Sequence, residues 1–235
     1  MHRPRASEGD AGRRPLVKIC GVTRAEDALA AVELGADLVG LNFHPASPRC
    51  VPVERAAEVA AAVRGRARLV GVFVRHSRRE VEAVDACLGL DLLQFHGDQG
   101  PRELAPFAAR AVKVLRLEPG APPDAGALAA EAERYPGAWG FLLDARHDHL
   151  FGGTGESWDW RGATGLASGR PWLVAGGIRP GNARVALVAS GASGIDVCSG
   201  VEAAPGIKDA RRMARLFAEI ADLRRESHGE SQGAA

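Results

Sequence analysis

The chain has 235 residues, with 30 Lys and Arg against 29 Asp and Glu, a formal charge of +1, and 46% hydrophobic residues. That length suits one α/β barrel or two smaller domains and is enough to bury a substantial core. Mixed charges that nearly cancel leave no nucleic-acid or membrane footprint and predict at most a local anion site. No apolar run approaches the length of a membrane span. Four cysteines, Cys20, Cys50, Cys87 and Cys198, lack the close paired spacing of zinc or redox motifs, which points to a reducing cytoplasm.

Residues 1–14 are basic without an apolar segment, so they read as a disordered leader rather than a secretory signal. Short apolar runs then alternate with longer amphipathic ones. Residues 16–20 read as a strand and 25–34 as a helix, with Thr23 and Glu26 at capping-box spacing. The next strand and helix pairs are 38–43 with 54–63, 69–74 with 79–87, 92–95 with 101–108, and 111–117 with 125–134. The last three are 140–144 with a weakly patterned 159–166, 172–175 with 182–189, and 194–198 with 209–224. Strands that are apolar throughout, each followed by a helix, imply a parallel sheet covered on its outer face. No Pro/Gly/Ser-rich linker divides the chain, so residues 15–225 are expected to form an α/β fold, a single-domain (β/α)8 TIM barrel, with 226–235 a disordered tail. A doubly wound sheet is the alternative, disfavoured by the regular units and by the lack of Gly-x-Gly-x-x-Gly after the first strand. The alanine-rich helix faces offer no exposed apolar stripe and leave monomer and homodimer both open.

In a barrel, chemistry gathers where rigid strands end and open loops begin. Cys20 stands at such an end, and Gly21 lets backbone and ligand approach closely. Asp144 follows Phe141-Leu142-Leu143, a setting in which burial raises a carboxyl toward a useful general acid. Beyond it, Phe151-Gly152-Gly153-Thr154-Gly155 reads as a lid or phosphate loop. His147, Asp148 and His149 read as solvated loop-tip groups rather than metal ligands. Arg49 lies in a loop stiffened by Pro45, Pro48 and Pro52 and suits a bidentate carboxylate contact. Gln94 and His96 alternate on the fourth strand, so both can point to one side. Gly176-Gly177 and Ser199-Gly200, after the last two strands, supply backbone N–H groups and a hydroxyl for a phosphate, with a short helix expected after Gly200.

Several of these pieces occur together in order: Lys18-Ile19-Cys20-Gly21-Val22-Thr23, Ser47-Pro48-Arg49-Cys50-Val51, Gln94-Phe95-His96-Gly97-Asp98, Leu142-Leu143-Asp144-Ala145, Gly152-Gly153-Thr154-Gly155, Ala175-Gly176-Gly177-Ile178-Arg179-Pro180-Gly181-Asn182, and Asp196-Val197-Cys198-Ser199-Gly200-Val201-Glu202. The set resembles the phosphoribosylanthranilate isomerase family from Lys18 to about Asp209. The resemblance implies an Amadori rearrangement of N-(5-phosphoribosyl)anthranilate to 1-(2-carboxyphenylamino)-1-deoxyribulose 5-phosphate in tryptophan biosynthesis, on a small phosphorylated substrate, with no metal or organic cofactor. It implies Asp144 as general acid at the ribose ring oxygen and the Cys20 thiolate as general base at the adjacent sugar carbon. It further implies Arg49 on the anthranilate carboxylate, the Gly176-Gly177 and Ser199-Gly200 loops on the phosphate, and Asp196, with Gln94 and His96, as substrate contacts. The sequence departs from the family at Arg75, where Asn is common, at Phe95 for Leu, at Cys198 for Ser and at Trp158 for Phe. Cys198 bears on the phosphate loop, and Arg75 is expected to add charge at the mouth.

Three rival readings are weaker. A histidine-pathway or dual-substrate aminoaldose isomerase uses, in its relatives, an aspartate where this chain has Cys20. A Schiff-base barrel enzyme needs a strand lysine, for which Lys113 is the candidate. A non-catalytic phosphate-binding barrel would need neither Cys20 nor Asp144.

Overall fold

Eight short apolar segments form strands: β1 (Leu16–Ile19), β2 (Leu38–Asn42), β3 (Arg68–Phe73), β4 (Leu92–Phe95), β5 (Ala111–Leu117), β6 (Gly140–Ala145), β7 (Trp172–Val174) and β8 (Gly194–Val197). They pair in parallel in chain order, and β1 pairs with β8 to close a barrel, as the strand-helix alternation predicts. This computed structural model describes residues 14–117, 124–145, 160–163 and 169–225. The expectations for the leader, the tail, the glycine loop 151–155, the His147-Asp148-His149 run and Trp158 lie outside the described residues.

Side-chain alternation divides the apolar residues into two layers. Leu38, Val70, Leu92, Val112, Val114, Leu142, Leu173 and Ala175 fill the barrel interior. The other parity, including Val17, Ile19, Val39, Leu69, Leu93, Phe141 and Ile195, packs outward against the helices α1 (Ala25–Glu33), α2 (Val53–Val63), α3 (Arg78–Leu88), α4 (Pro101–Leu104), α5 (Ala125–Glu133), α6 (Ala183–Ser190) and α7 (Ala210–Glu219). Strands covered on both faces carry no polar alternation, which is why they read as continuous apolar runs. No helix among the described residues is long and apolar enough to cross a membrane.

Several helix boundaries differ from the sequence expectation for local reasons. The helix expected over 101–108 is α4 followed by a 3-10 stretch, Ala105–Arg110, because Pro106 lacks the N–H that an α-helical ladder requires. The segment expected as 159–166 shows a single 3-10 turn, Trp160–Ala163, within its described part. The last helix stops at Glu219 rather than Arg224, and the Arg224 guanidinium instead bonds the Pro15 and Gly35 carbonyls and the Asp37 carboxylate under the barrel. The Thr23 capping box does not form. Arg24 occupies the cap position of α1, and the Thr23 hydroxyl donates to the Gly206 carbonyl at 2.6 Å. The short helix expected directly after Gly200 is instead a 3-10 turn, Ser199–Val201, and the chain continues into a hairpin of β9 (Glu202–Ala204) and β10 (Ile207–Lys208) before α7.

Candidate active site

On β1 and β8, Lys18 and Asp196 are register partners that face inward, and the Lys18 ammonium donates to the Asp196 carboxylate at 3.0 Å. Two residues further along the same faces come Cys20 and Cys198. The ladder continues to that level, since the Cys20 amide donates to the Val197 carbonyl at 2.9 Å. Gly40 on β2 makes room for the thiol: a Cβ added there would lie 2.9 Å from the Cys20 sulfur. On β6, Asp144 follows Leu142 on the inner face, and Gln94 and His96 follow Leu92 in the same way at the end of β4. Cys20, Asp144, Arg49, Gln94, His96, Asp196, Gly176, Gly177 and Ser199 all line one cleft at the carboxyl ends of the strands, together with Asn42 and Ser47. The residues that the sequence nominated from separate loops therefore converge. Gly200 alone lies behind this lining, packed so tightly on the preceding loop that an added Cβ would stand 2.0 Å from the Ile178 carbonyl oxygen.

The electrostatics of the floor follow from one buried cation serving two acids. Interaction with the Cys198 thiol, then the Lys18 charge, outweighs burial and holds the Cys20 thiol well below its ordinary value. The same interaction, with burial, pushes Cys198 up, so Cys20 is the more readily ionised of the two. Burial favours a neutral Asp196, the Cys20 charge adds to this, and Lys18 only partly compensates, so its carboxyl is pushed up to about 7. Burial alone would lower Lys18, but Asp196 and Cys20 together reverse that and raise it. Burial, then the positive charges of Arg116 and Lys18, lower His96 to about 3, which leaves it a neutral imidazole.

Arg49 is placed differently from the simplest expectation. Its Nε and Nη2 form a fork onto Glu202 at 2.9 and 2.7 Å, and Glu202 in turn accepts from the Lys208 ammonium at 2.8 Å. Burial would raise Glu202, but the Arg49 hydrogen bonds and the Lys208 charge lower it. Nη1 is the nitrogen that this fork leaves for a second carboxylate. Opposite, Gly176 and Gly177 have φ of 87° and 65°, and the Gly177 carbonyl is held by Asn182 Nδ2 at 3.0 Å. Asn182 thereby braces this loop instead of capping α6 with its side chain. Among the described residues the amides of Gly176 and Gly177, which lie outside helix and strand, enter no backbone hydrogen bond, so they are available to an anion.

Sequence reasoning offered Lys18 as a nearby charge for Cys20 but left open whether it faces the thiol, and it missed Glu202 and Lys208 as members of the site. The structure places Lys18 on the inner face two residues before Cys20, which stands just past the end of β1. One other expectation is corrected. Lys113 faces outward, between the inward Val112 and Val114, and donates to the Gly97 carbonyl at 2.6 Å, so no lysine of β5 serves a Schiff base in the barrel. Arg75 is not part of the cleft lining and pairs with Asp98 at an exposed position. Its φ of 54° lies in the left-handed region, which costs a non-glycine side chain roughly 1 kcal/mol.

Residues 17–219 match the family N-(5'phosphoribosyl)anthranilate (PRA) isomerase. The chain belongs to this family. The N-(5'-phosphoribosyl)anthranilate isomerase of Rubrobacter xylanophilus is 44% identical over 203 residues, covering 85% of this chain and 96% of that protein. The crystal structure of phosphoribosyl anthranilate isomerase from Thermus thermophilus superposes with a TM-score of 0.77 at 34% identity, over 89% of this chain and all of that one. A further phosphoribosyl anthranilate isomerase structure, a complex with reduced 1-(o-carboxyphenylamino)-1-deoxyribulose 5-phosphate, matches at 29% identity with a TM-score of 0.73, over 88% of this chain and 99% of that one. The activity is accordingly that of an isomerase of tryptophan biosynthesis, acting on N-(5'-phosphoribosyl)anthranilate.

Proposed function

We propose that this cleft carries out the isomerisation with Asp144 as general acid and Cys20 as general base. The observation that supports it best is the convergence of an inward carboxyl on β6 and an inward thiolate on β1, the latter tuned by Lys18 and Cys198. Asp144 protonates the ribose ring oxygen, the bond from that oxygen to the anomeric carbon breaks, and the anilino nitrogen supplies electrons to form an iminium. Cys20 then removes the proton from the adjacent carbon, and the resulting enolamine passes to the aminoketone. A bound analogue of the product in a family neighbour supports a phosphorylated ligand for this cleft too. Its phosphate would meet the Gly176, Gly177, Ser199 and Gly200 amides and the Ser199 hydroxyl, and its carboxylate would meet Arg49 Nη1. Among the described residues Gln94 Oε1 is buried with no hydrogen-bond partner, which suits it to accept from a ribose hydroxyl. His96, neutral, and Asp196 complete the sugar side. The assay that tests this reading supplies purified protein with the phosphoribosylanthranilate and histidine-pathway aminoaldoses. Turnover of the first alone is expected; comparable turnover of both would favour the dual-substrate reading.

Arg49→Met should weaken anthranilate-bearing ligands and spare free phosphate, since a charge-assisted contact worth roughly 1.5–3 kcal/mol is lost only for the former. Lys208 keeps Glu202 paired, so the fold should survive. Calorimetry with a product analogue and with inorganic phosphate decides this: equal losses for both would move Arg49 to the phosphate side or to the scaffold.

The raised Asp196 carboxyl has a consequence for stability. Its folded value of about 7 lies above the ordinary 3.8, so the folded state binds this proton more tightly than the unfolded chain. Its contribution is fully present below the ordinary value and is lost as pH rises through about 7. Asp196→Asn, which cannot ionise, should therefore gain melting temperature relative to the parent as pH rises across that window. A gap that stays constant with pH would show that Lys18 neutralises Asp196 completely.

A further inference from the structure

Cys20 and Cys198 lie 178 positions apart in sequence, yet each stands one residue past the Ile19 and Val197 register pair, at the carboxyl ends of the neighbouring strands β1 and β8. Adjacent strands run about 4.8 Å apart, and a disulfide bridges Cα atoms roughly 4.4–6.8 Å apart. The two thiols act on each other's ionisation, lowering Cys20 and raising Cys198, as near neighbours do. Both line the same cleft, whose volume of about 60 Å³ is several times the ~10–15 Å³ that one water needs, so a small oxidant can reach them. The groups that face the pair are Lys18 and Asp196 on the strands, Arg49 from the loop after β2, Glu202 and Lys208 on the hairpin, and Asp144 across the cleft. The other two thiols are elsewhere: Cys50 is in the loop after β2, and Cys87 is exposed on α3.

From this geometry we infer that Cys20 and Cys198 form a reversible disulfide that switches the enzyme off under peroxide. The Cys20 sulfur attacks one oxygen of hydrogen peroxide, the O–O bond breaks, and the departing hydroxide takes a proton to leave as water. The resulting sulfenic acid is attacked by the Cys198 sulfur, which gives up its proton as the S–S bond forms, and a second water leaves. The two thiols lose two electrons together and one peroxide gains them. An external dithiol reverses the step by exchange.

The test treats the full-length protein with hydrogen peroxide, blocks free thiols with iodoacetamide, and reads both turnover and a peptide map. Expected are loss of nearly all turnover, a Cys20–Cys198 cross-linked peptide lighter by two hydrogens, and recovery on dithiothreitol. Cys198→Ser, compared with its own untreated rate, should lose turnover without recovery as Cys20 proceeds to the sulfinic acid. The inference fails if oxidised parent protein carries no such cross-link, or if Cys20 is found joined to Cys50 or Cys87. The activity arm rests on Cys20 being the base, and the map separates the two readings. A cross-link with undiminished turnover would remove Cys20 from the chemistry while the disulfide stands; inactivation without a cross-link would do the reverse.

Discussion

Cys20→Ala should lower kcat by about 10²- to 10⁴-fold, the usual cost of removing a positioned base, while the protein stays folded. The thiol is buried beside Gly40, so a smaller side chain adds no clash. The loss should fall on kcat and not on KM, because the sulfur is assigned to proton transfer and other groups to binding the ligand's ends. The parent enzyme should also hold its activity to lower pH than an ordinary thiol would allow. Its thiol is held down by Cys198 and Lys18, and activity is lost only as pH falls through that lowered value. Steady-state kinetics across pH give both results, and an unchanged kcat in the alanine variant would eliminate Cys20.

Asp144→Asn should cost a comparable factor by stopping an earlier step. Asparagine preserves the shape and a hydrogen-bond donor but cannot deliver a proton to the ring oxygen, so ring opening becomes limiting at about 10²- to 10⁴-fold lower rate. Substrate deuterated at the carbon that Cys20 deprotonates distinguishes the two roles. In Asp144→Asn the isotope effect should shrink toward unity, since the C–H bond breaks after the slow step. A full isotope effect together with near-normal kcat would show that another group supplies the acid.

The barrel was legible because its strands are buried on both faces and each is followed by an amphipathic stretch, from Leu38 and its neighbours through Gly194. What local pattern did not show was the hairpin after Gly200. Pro205-Gly206 is a turn signal, and Gly206 has φ of 80°, but strands of three and two residues give no periodicity to read. Arg49, Asp144 and the glycine loops were legible because each stands at the carboxyl end of a strand or in the loop that follows one. Their electrostatic partners were not, since Lys18 with Asp196, Arg49 with Glu202, and Cys20 with Cys198 are pairings between distant parts of the chain. Those depend on the closure of β1 against β8 and on where the hairpin folds back. Charge alone misled at Lys113, where strand parity sends the side chain outward.

The hairpin ties three mouth segments together: Thr23 reaches its Gly206 carbonyl, Glu202 holds Arg49, and the Lys208 amide donates to Asp27 on α1. Arg49 is thus fixed before any ligand arrives. Immobilising a long side chain during association costs about 0.5–1.5 kcal/mol, and here that conformational entropy is surrendered when the chain folds. Binding at the proposed aryl end should then be fast and should need little rearrangement, with the affinity of that wall set in part by Thr23 and Asp27, which lie outside the cleft lining.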